Sequence, residues 1–463
     1  LVLLSVILFA ALGAIGFAQS GKTAYATATN TQSIDFGSDG ITFSYIDEAI
    51  ASYEVTIGET TTKYVTIEEA WAAANEADAA TVKMFKDAEI SSPLQVENAK
   101  TITFDLNGYV LSGSDSLTSS IFHVPADTTL ILKDGYSSGT GNIIGKNAKA
   151  VMVYGSFVME SGKISGGMHG GVWLDNALGT FTMNGGKISD NTLSSDEGAG
   201  VSVTRGTFIM NGGEISNNTC KYNGGGVYLS GGSTFTMNNG SIANNKSNGN
   251  GGGGIYIGSG RNTFNMYGGS ITGNSAQFGD GGALQMLGGT FNLKGKVNIS
   301  GNGNNGMSNN IYLFNYTYIT IVGAIEAGSI ISINGCTSGS EYVVENYDKT
   351  EQGAEYTKYF KTDRENSCLA LWLNTYIRFG QHAATESWLS DTGKNAHYRL
   401  CKNECGARFD EAEHTAEADD KDCTTSTNCS VCNEVIESAP ATTHDLQYVA
   451  ETDGKHRQVC QNN

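Results

Sequence analysis

Residues Gly224–Asn245 read GGGVYLSGGSTFTMNNGSIANN. Two short apolar strings, Val227–Leu229 and Phe235–Met237, and a lone Ile242 are separated by Gly, Ser and Asn. Within each string every second residue is apolar, the period of a strand with one face buried. Nearly the same phrase recurs on both sides. The first string appears at Val172–Leu174, Val201–Val203, Val227–Leu229, Ile255–Ile257, Leu284–Met286 and Ile311–Leu313, in steps of 26 to 29 residues. The second is anchored by Phe181, Phe208, Phe235, Phe264, Phe291 and Ile319, the third by Ile188, Ile215, Ile242, Ile271 and Ile299. A shorter copy holds Phe157, Met159 and Ile164, and the pairs Ile102/Phe104 and Leu130/Leu132 mark still earlier turns.

A repeat of this length cannot bury its own apolar face and must stack on its neighbours. The pattern predicts an all-β solenoid: a parallel β-helix with three short strands per coil and equivalent strands ~4.8 Å apart along the axis. Each Phe then stacks on the Phe of the next coil inside the tube. Gly and Asn fill the turns because both accept left-handed backbone angles. Asn191, Asn218, Asn245, Asn274 and Asn302 each follow a third-string Ile by three residues, which predicts a ladder of amides bonding from coil to coil.

The phrases GTFTMNGGKISDN (179–191), GTFIMNGGEISNN (206–218) and GGTFNLKGKVNISGN (288–302) resemble the coils of right-handed parallel β-helix proteins, the pectin-lyase-like superfamily, and its bacterial surface and adhesin-like branch in particular. The stretches YVTIEEAWAAANEADAATVKMFKDAEI (64–90) and KTITFDLNGYVLSG (100–113) resemble that branch's entry of helix, strand and first coil. The resemblance covers roughly residues 60–335. It implies a right-handed winding and says little about activity, because the fold hosts lyases, hydrolases, tail-spikes and adhesins alike.

The remainder of the chain divides around the solenoid. An apolar run from Leu1 to Ala18, followed by Ala24-Tyr25-Ala26, predicts a secretory signal peptide over 1–26. The other reading of that run is a membrane anchor near the minimum spanning length. No other segment is apolar enough to cross a bilayer, so no span is expected after cleavage. Residues 27–96 read as an entry region with a capping helix at Ala70–Ala80, 97–335 as the parallel β-helix, 336–392 as an irregular cap, and 393–463 as a Cys/His-rich module. The chain starts at Leu1 without a methionine and stops just past Cys460, and both ends read as truncations.

Six of the nine cysteines and four of the seven histidines lie between His397 and Cys460. His397, Cys401, Cys405 and His414 could close one tetrahedral zinc site, and Cys429, Cys432, His444 and Cys423 another. His456 and Cys460 repeat the spacing of His397 and Cys401. Disulfides are the rival reading, since secretion permits them and spacing does not decide between the two. Either way the role is structural. Cys220, Cys336 and Cys368 stand alone and read as small apolar residues.

The net charge of −19 argues against a nucleic-acid partner, which would need Lys/Arg patches. Catalysis on a polysaccharide would need paired carboxylates or acidic calcium ligands. The coils hold few acids: Asp175, Asp190, Asp196, Glu197, Glu214 and Asp280. Equivalent positions in other coils are mostly not acidic. Asp190 corresponds to Asn217, Asn244, Gly273 and Gly301, and Asp175 corresponds to Thr204 and Ser230. GMHGG around His169 resembles the hydrolases' Gly-His-Gly but lacks their Asp set, and Arg205 and Arg261 have no acid cluster. No catalytic residue is assigned.

The outward position of the first strand holds Trp173, Ser202, Tyr228, Tyr256, Gln285 and Tyr312. Trp173, Tyr228, Tyr256 and Tyr312 therefore form an aromatic stripe, suited to stacking on sugar rings. The bland reading is cross-coil pairing that only stabilises the sheet. The expectation is a secreted or cell-surface, non-enzymatic, adhesin-like protein with a glycan or another cell surface as partner. A polysaccharide lyase or glycoside hydrolase, and a purely structural stalk, are the alternatives.

Overall fold

In a computed structural model, residues 51–336 are described except 98, 195–197, 250, 305–306 and 315–316. Beyond them the described residues are strands at 32–35 and 42–45 and short segments between 343 and 460. The expected signal peptide at 1–26 lies outside the described residues. The chain forms two compact units, Leu1–Asp363 and Arg364–Asn463.

The first unit is a β-solenoid of about nine turns, and the chain as a whole is mostly strand. Successive coils pair in parallel and in register. Val172, Val201, Val227, Ile255, Leu284 and Ile311 form one column. Phe157, Phe181, Phe208, Phe235, Phe264, Phe291 and Ile319 form a second, and Ile164, Ile188, Ile215, Ile242 and Ile271 a third. Ile102 and Leu130 extend the Phe column toward the N-terminus. A further column of two-residue strands runs through Thr192–Leu193, Thr219–Cys220, Lys246–Ser247 and Ser275–Ala276. Its inward residues, Leu193, Cys220, Ser247 and Ala276, are buried. Parallel pairing begins at Ala79–Met84, inside the expected entry region. It runs on through Val344–Asn346 to Phe360–Thr362, past residue 335, where the repeat stops being legible.

The Phe column carries the core. Rings stack at centroid separations of 4.9, 4.7, 4.5, 5.1 and 4.8 Å from Phe157 to Phe291. All six are fully buried. Each burial contributes about 1.5–3 kcal/mol, and each ring pair about 0.5–1.5 kcal/mol more.

One corner explains much of the Asn and Gly content. Asp190, Asn217, Asn244, Gly273 and Gly301 occupy the same place, and all have φ between 55° and 67°. That left-handed conformation crowds an ordinary Cβ and is tolerated by Asn, Asp and Gly. Asp190 thus stands where the backbone selects its residue type. The next residue in each coil is the ladder asparagine, Asn191, Asn218, Asn245, Asn274 or Asn302, each at most 2 % exposed. A Cβ on Gly226 would lie 2.6 Å from the carbonyl oxygen of Gly254 and 3.0 Å from Asn245 Nδ2, so the chain passes too close there for any side chain.

At the N-terminal end, Tyr53–Ile57 pairs antiparallel with both Thr60–Tyr64 and Ala79–Met84. The latter strand also pairs in parallel with Thr101–Asp105, so it marks the change from hairpin to solenoid. The helix spans Ile67–Ala74, not the expected Ala70–Ala80. Thr66 caps its start by accepting the Glu69 N–H at 3.3 Å. Asn75 ends it: its side chain binds Gln95 O at 3.0 Å and the Glu97 N–H at 2.9 Å. Ala79 and Ala80 join a strand instead, where pairing outweighs alanine's helix preference. Trp71 faces Phe104 and Phe122, with centroids 6.1 and 5.5 Å away, and donates to Gln95 O at 2.7 Å.

The second unit contains antiparallel pairs, among them Ser367–Trp372 with Tyr376–Gln381 and Leu446–Ala450 with His456–Cys460. His397 falls in the strand Ala396–Leu400. Cys401, Cys405, His414, Cys423, Cys429, Cys432 and His444 lie outside the described residues.

Candidate functional site

The sheet register places Trp173, Ser202, Tyr228, Tyr256, Gln285 and Tyr312 side by side along the axis, one per coil. Ser202 and Gln285 are buried, and the four aromatics are half-buried. Tyr228 and Tyr256 stack with centroids 5.6 Å apart and planes 8° from parallel. Tyr154 meets Trp173 edge-on at 6.3 Å, and His123 meets Tyr154 at 5.6 Å. The aromatic file therefore reaches two coils further toward the N-terminus, through Tyr154 to His123. The signal was available: Tyr154 directly follows the strand Lys149–Val153, whose Met152 pairs with Trp173. His123 Nδ1 donates to Gln95 Oε1 at 3.0 Å, and burial holds its imidazole below its ordinary value.

A cleft of about 550 Å³ opens where the stripe is interrupted at Ser202. Trp173 and Tyr228 line it from the coils on either side, with Lys149, His169 and Tyr222 among the other lining residues. Thr204 adds a hydroxyl from the strand that holds Ser202, and Ser230 adds one from just past the strand that holds Tyr228. The Lys149 ammonium lies 4.9 Å from the Trp173 ring centroid. An aromatic-walled cleft with a few polar groups is the usual make-up of a small-ligand site, and its volume is within the usual range of about 300–1,000 Å³.

Three of the six acids named above are engaged with bases, and Asp196 and Glu197 lie outside the described residues. Asp175 Oδ1 lies 2.8 Å from Arg205 Nε, Asp190 Oδ2 2.9 Å from Lys163 Nζ, and Glu214 Oε1 3.0 Å from Lys187 Nζ. Counting along the repeat, Asp175 falls opposite Thr204. A bulge after Leu174 shifts the register and pairs it with Arg205 instead. The hydrogen bond from Arg205 holds the Asp175 carboxyl below its ordinary value. Burial pushes Asp190 up, but hydrogen bonds from Lys163 and Ser189 outweigh it and the net shift is downward. Glu214 is held down by Ser216 and then by Lys187.

The ladder position carries dense hydrogen bonding. Asn218 Nδ2 donates to Asn245 Oδ1 at 2.9 Å and to Ile188 O at 3.0 Å, and its oxygen accepts from Asn191 N and Nδ2 at 3.1 and 2.9 Å. Both amide hydrogens and both lone pairs are used. Asn245 and Asn274 repeat the arrangement. Asn302 passes the chain to Asn310 Oδ1 at 2.8 Å, within its own coil. A second column lies on the surface: Asn238 donates to Asn211, Asn211 to Asn184, and Asn184 to Glu160, at 2.8, 2.8 and 2.9 Å. Its donors point toward the N-terminus, opposite to the buried column.

Among the described residues, no three metal-ligating side chains converge, and no helix is long and apolar enough to cross a membrane. No family model, curated protein or solved structure matches the chain.

Proposed function

We propose that the chain is a secreted or cell-surface, non-enzymatic, adhesin-like protein that binds glycans on the face from Trp173 to Tyr312. The proposal includes a right-handed winding, three principal strands per coil, capped ends, and kinship with the pectin-lyase-like superfamily through its surface-protein branch. It also includes a C-terminal Cys/His module stapled by zinc, supported by the recurrence of His with Cys at His397, Cys401, Cys405 and His414, which disulfides do not require; metal analysis of the purified chain tests it. The observation that carries the binding function is the cleft at Ser202, with Trp173 and Tyr228 in its lining. A binding role is favoured over hydrolysis by the three ion-paired carboxylates. A general acid needs a raised pKa, and Asp175, Asp190 and Glu214 are all shifted down.

The test is a glycan array run together with assays for new reducing ends and unsaturated products. Binding without product supports the proposal. Product formation favours the lyase or hydrolase reading and overturns this one. A stalk without ligand is the second reading, and the Tyr228–Tyr256 stack favours it, since stacked outward rings stabilise a sheet by themselves. Replacing Trp173 and Tyr228 together by Ala separates these readings. Loss of binding with the fold intact supports the glycan face, and loss of the fold supports the stalk.

A further inference from the structure

We infer that the binding element is the gap at Ser202 rather than the aromatic surface: one terminal hexopyranose ring inserts between Trp173 and Tyr228 and completes a broken stack. The inference rests on the proposed glycan-binding function and names the form of ligand the site takes.

The same three coils supply the internal comparison. Inside the solenoid they carry Phe181, Phe208 and Phe235, an unbroken stack with separations of 4.7 and 4.5 Å. Outside, in register, they carry Trp173, Ser202 and Tyr228. The interior thus shows that two coil steps hold three rings. On the exterior the middle ring is missing, and the outer two positions stand two strand steps apart, ~9.6 Å. That interval takes one ring at the spacing the solenoid uses elsewhere. Tyr228 has one face against Tyr256, with planes 8° from parallel. Its other face looks along the axis toward the Ser202 level, where the cleft lies.

The polar groups select a hydroxylated ring over a plain aromatic one. Ser202, 7 % exposed, sits where the middle ring is missing. Thr204, Ser230 and His169 line the same cleft and can exchange hydrogen bonds with equatorial hydroxyls. A pyranose offers C–H faces to the two aromatics and hydroxyls at its edge, which fits this division. A chain end suits the gap because a terminal ring has one edge free of a glycosidic bond to point at the Ser202 strand, whereas a ring inside a polymer carries a linkage at both ends. The ligand class is therefore a glycan presenting a terminal hexopyranose.

The experiment replaces Ser202 with Tyr in the full chain and measures binding to the glycan that the array identifies, with simple methyl hexopyranosides as competitors. Insertion predicts that the new ring occupies the gap. Binding then falls by about fivefold or more, the scale of two lost ring contacts, and methyl hexopyranosides displace the glycan from the unaltered protein. A glycan lying flat across the stripe predicts the reverse. Ser202→Tyr would then complete the platform, binding would hold or tighten, and only longer oligosaccharides would compete. That result overturns the inference and leaves the glycan face standing. Thermal melting checks the fold. Should the Tyr variant fail to fold, Ser202→Val narrows the same gap with a strand-compatible side chain and is read the same way. An array on which the unaltered chain binds nothing overturns the glycan reading and the insertion with it.

Discussion

Asn245 accepts two hydrogen bonds from Asn218 on a single oxygen, one from the backbone N–H at 3.0 Å and one from the side-chain amide at 2.9 Å. Replacing Asn245 with Ala strands both donors in a fully buried corner and removes the donor to Asn274. Each orphaned group costs about 1–3 kcal/mol, so Asn245→Ala is expected to lower stability by about 3 kcal/mol or more. Asn238→Ala, on the exposed column, leaves water to replace the lost bond and should shift the melting temperature much less. Thermal melts of the two variants check the contrast. Equal shifts would show that burial is not what gives the inner column its weight.

The left-handed corner makes a sharper prediction. Asn244 has φ 56° and Gly273, one coil on, has φ 67°. Asn244→Gly should be nearly neutral, since Gly already serves at the equivalent place. Asn244→Val should destabilise by about 1–2 kcal/mol or more, because a β-branched residue is strained there. A Val variant that melts with the unaltered protein would refute the account of why Asn, Asp and Gly alone occupy this position.

Phe208 lies between two stacked partners, at 4.7 and 4.5 Å. Phe208→Ala opens a cavity in the middle of the column and is expected to cost about 3–5 kcal/mol. Phe208→Leu, which keeps most of the volume, should cost less. Denaturant unfolding followed by tyrosine and tryptophan fluorescence measures both.

Acid should weaken the fold through the surface pairs. Asp175, Asp190 and Glu214 have folded pKa values below their ordinary 3.8, 3.8 and 4.5. A depressed carboxyl contributes stability that is present above the ordinary value and is lost as pH falls through the lower folded value. The melting temperature is therefore expected to fall below about pH 4.5. The pairs sit at the surface, so the effect is small and shrinks with salt. Arg205→Gln removes the main cause of the Asp175 shift and should flatten the acid limb. An unchanged limb would show that Arg205 does not act on Asp175 in solution.

The repeat itself was plain in the sequence because its columns are built from large apolar residues at constant offsets. Phe181, Phe208 and Phe235 announce one another, and the Asn ladder follows from their Ile neighbours by counting. The short strands at Thr192–Leu193 and Thr219–Cys220 were not legible. Two residues give no periodicity, and the inward side changes from Leu to Cys to Ser to Ala along the column. The exposed Asn184–Asn211–Asn238 column was hidden for a different reason: Asn before Gly or Asn reads as a turn whether or not its amide is engaged. Helix Ile67–Ala74 lies earlier than the sequence suggests, because the alanines from 72 to 80 all favour helix, while the strand partner that claims Ala79 and Ala80 lies at Thr101–Asp105. Ser202 stood out as a break in the stripe, but only register and the cleft beside it turn a break into a candidate site.

Asn218 and Asn245 are 27 residues apart and meet the same surroundings. An in-frame duplication of the DNA for that interval would slip one more coil into the molecule, about 4.8 Å longer, with every carbonyl, amide and ring still answered. Length in such a protein is thus a quantity that replication errors can edit in whole steps. A feature that interrupts the periodicity, as Ser202 does, is copied only when its own coil is copied. The number of clefts and the reach of the solenoid can therefore evolve separately.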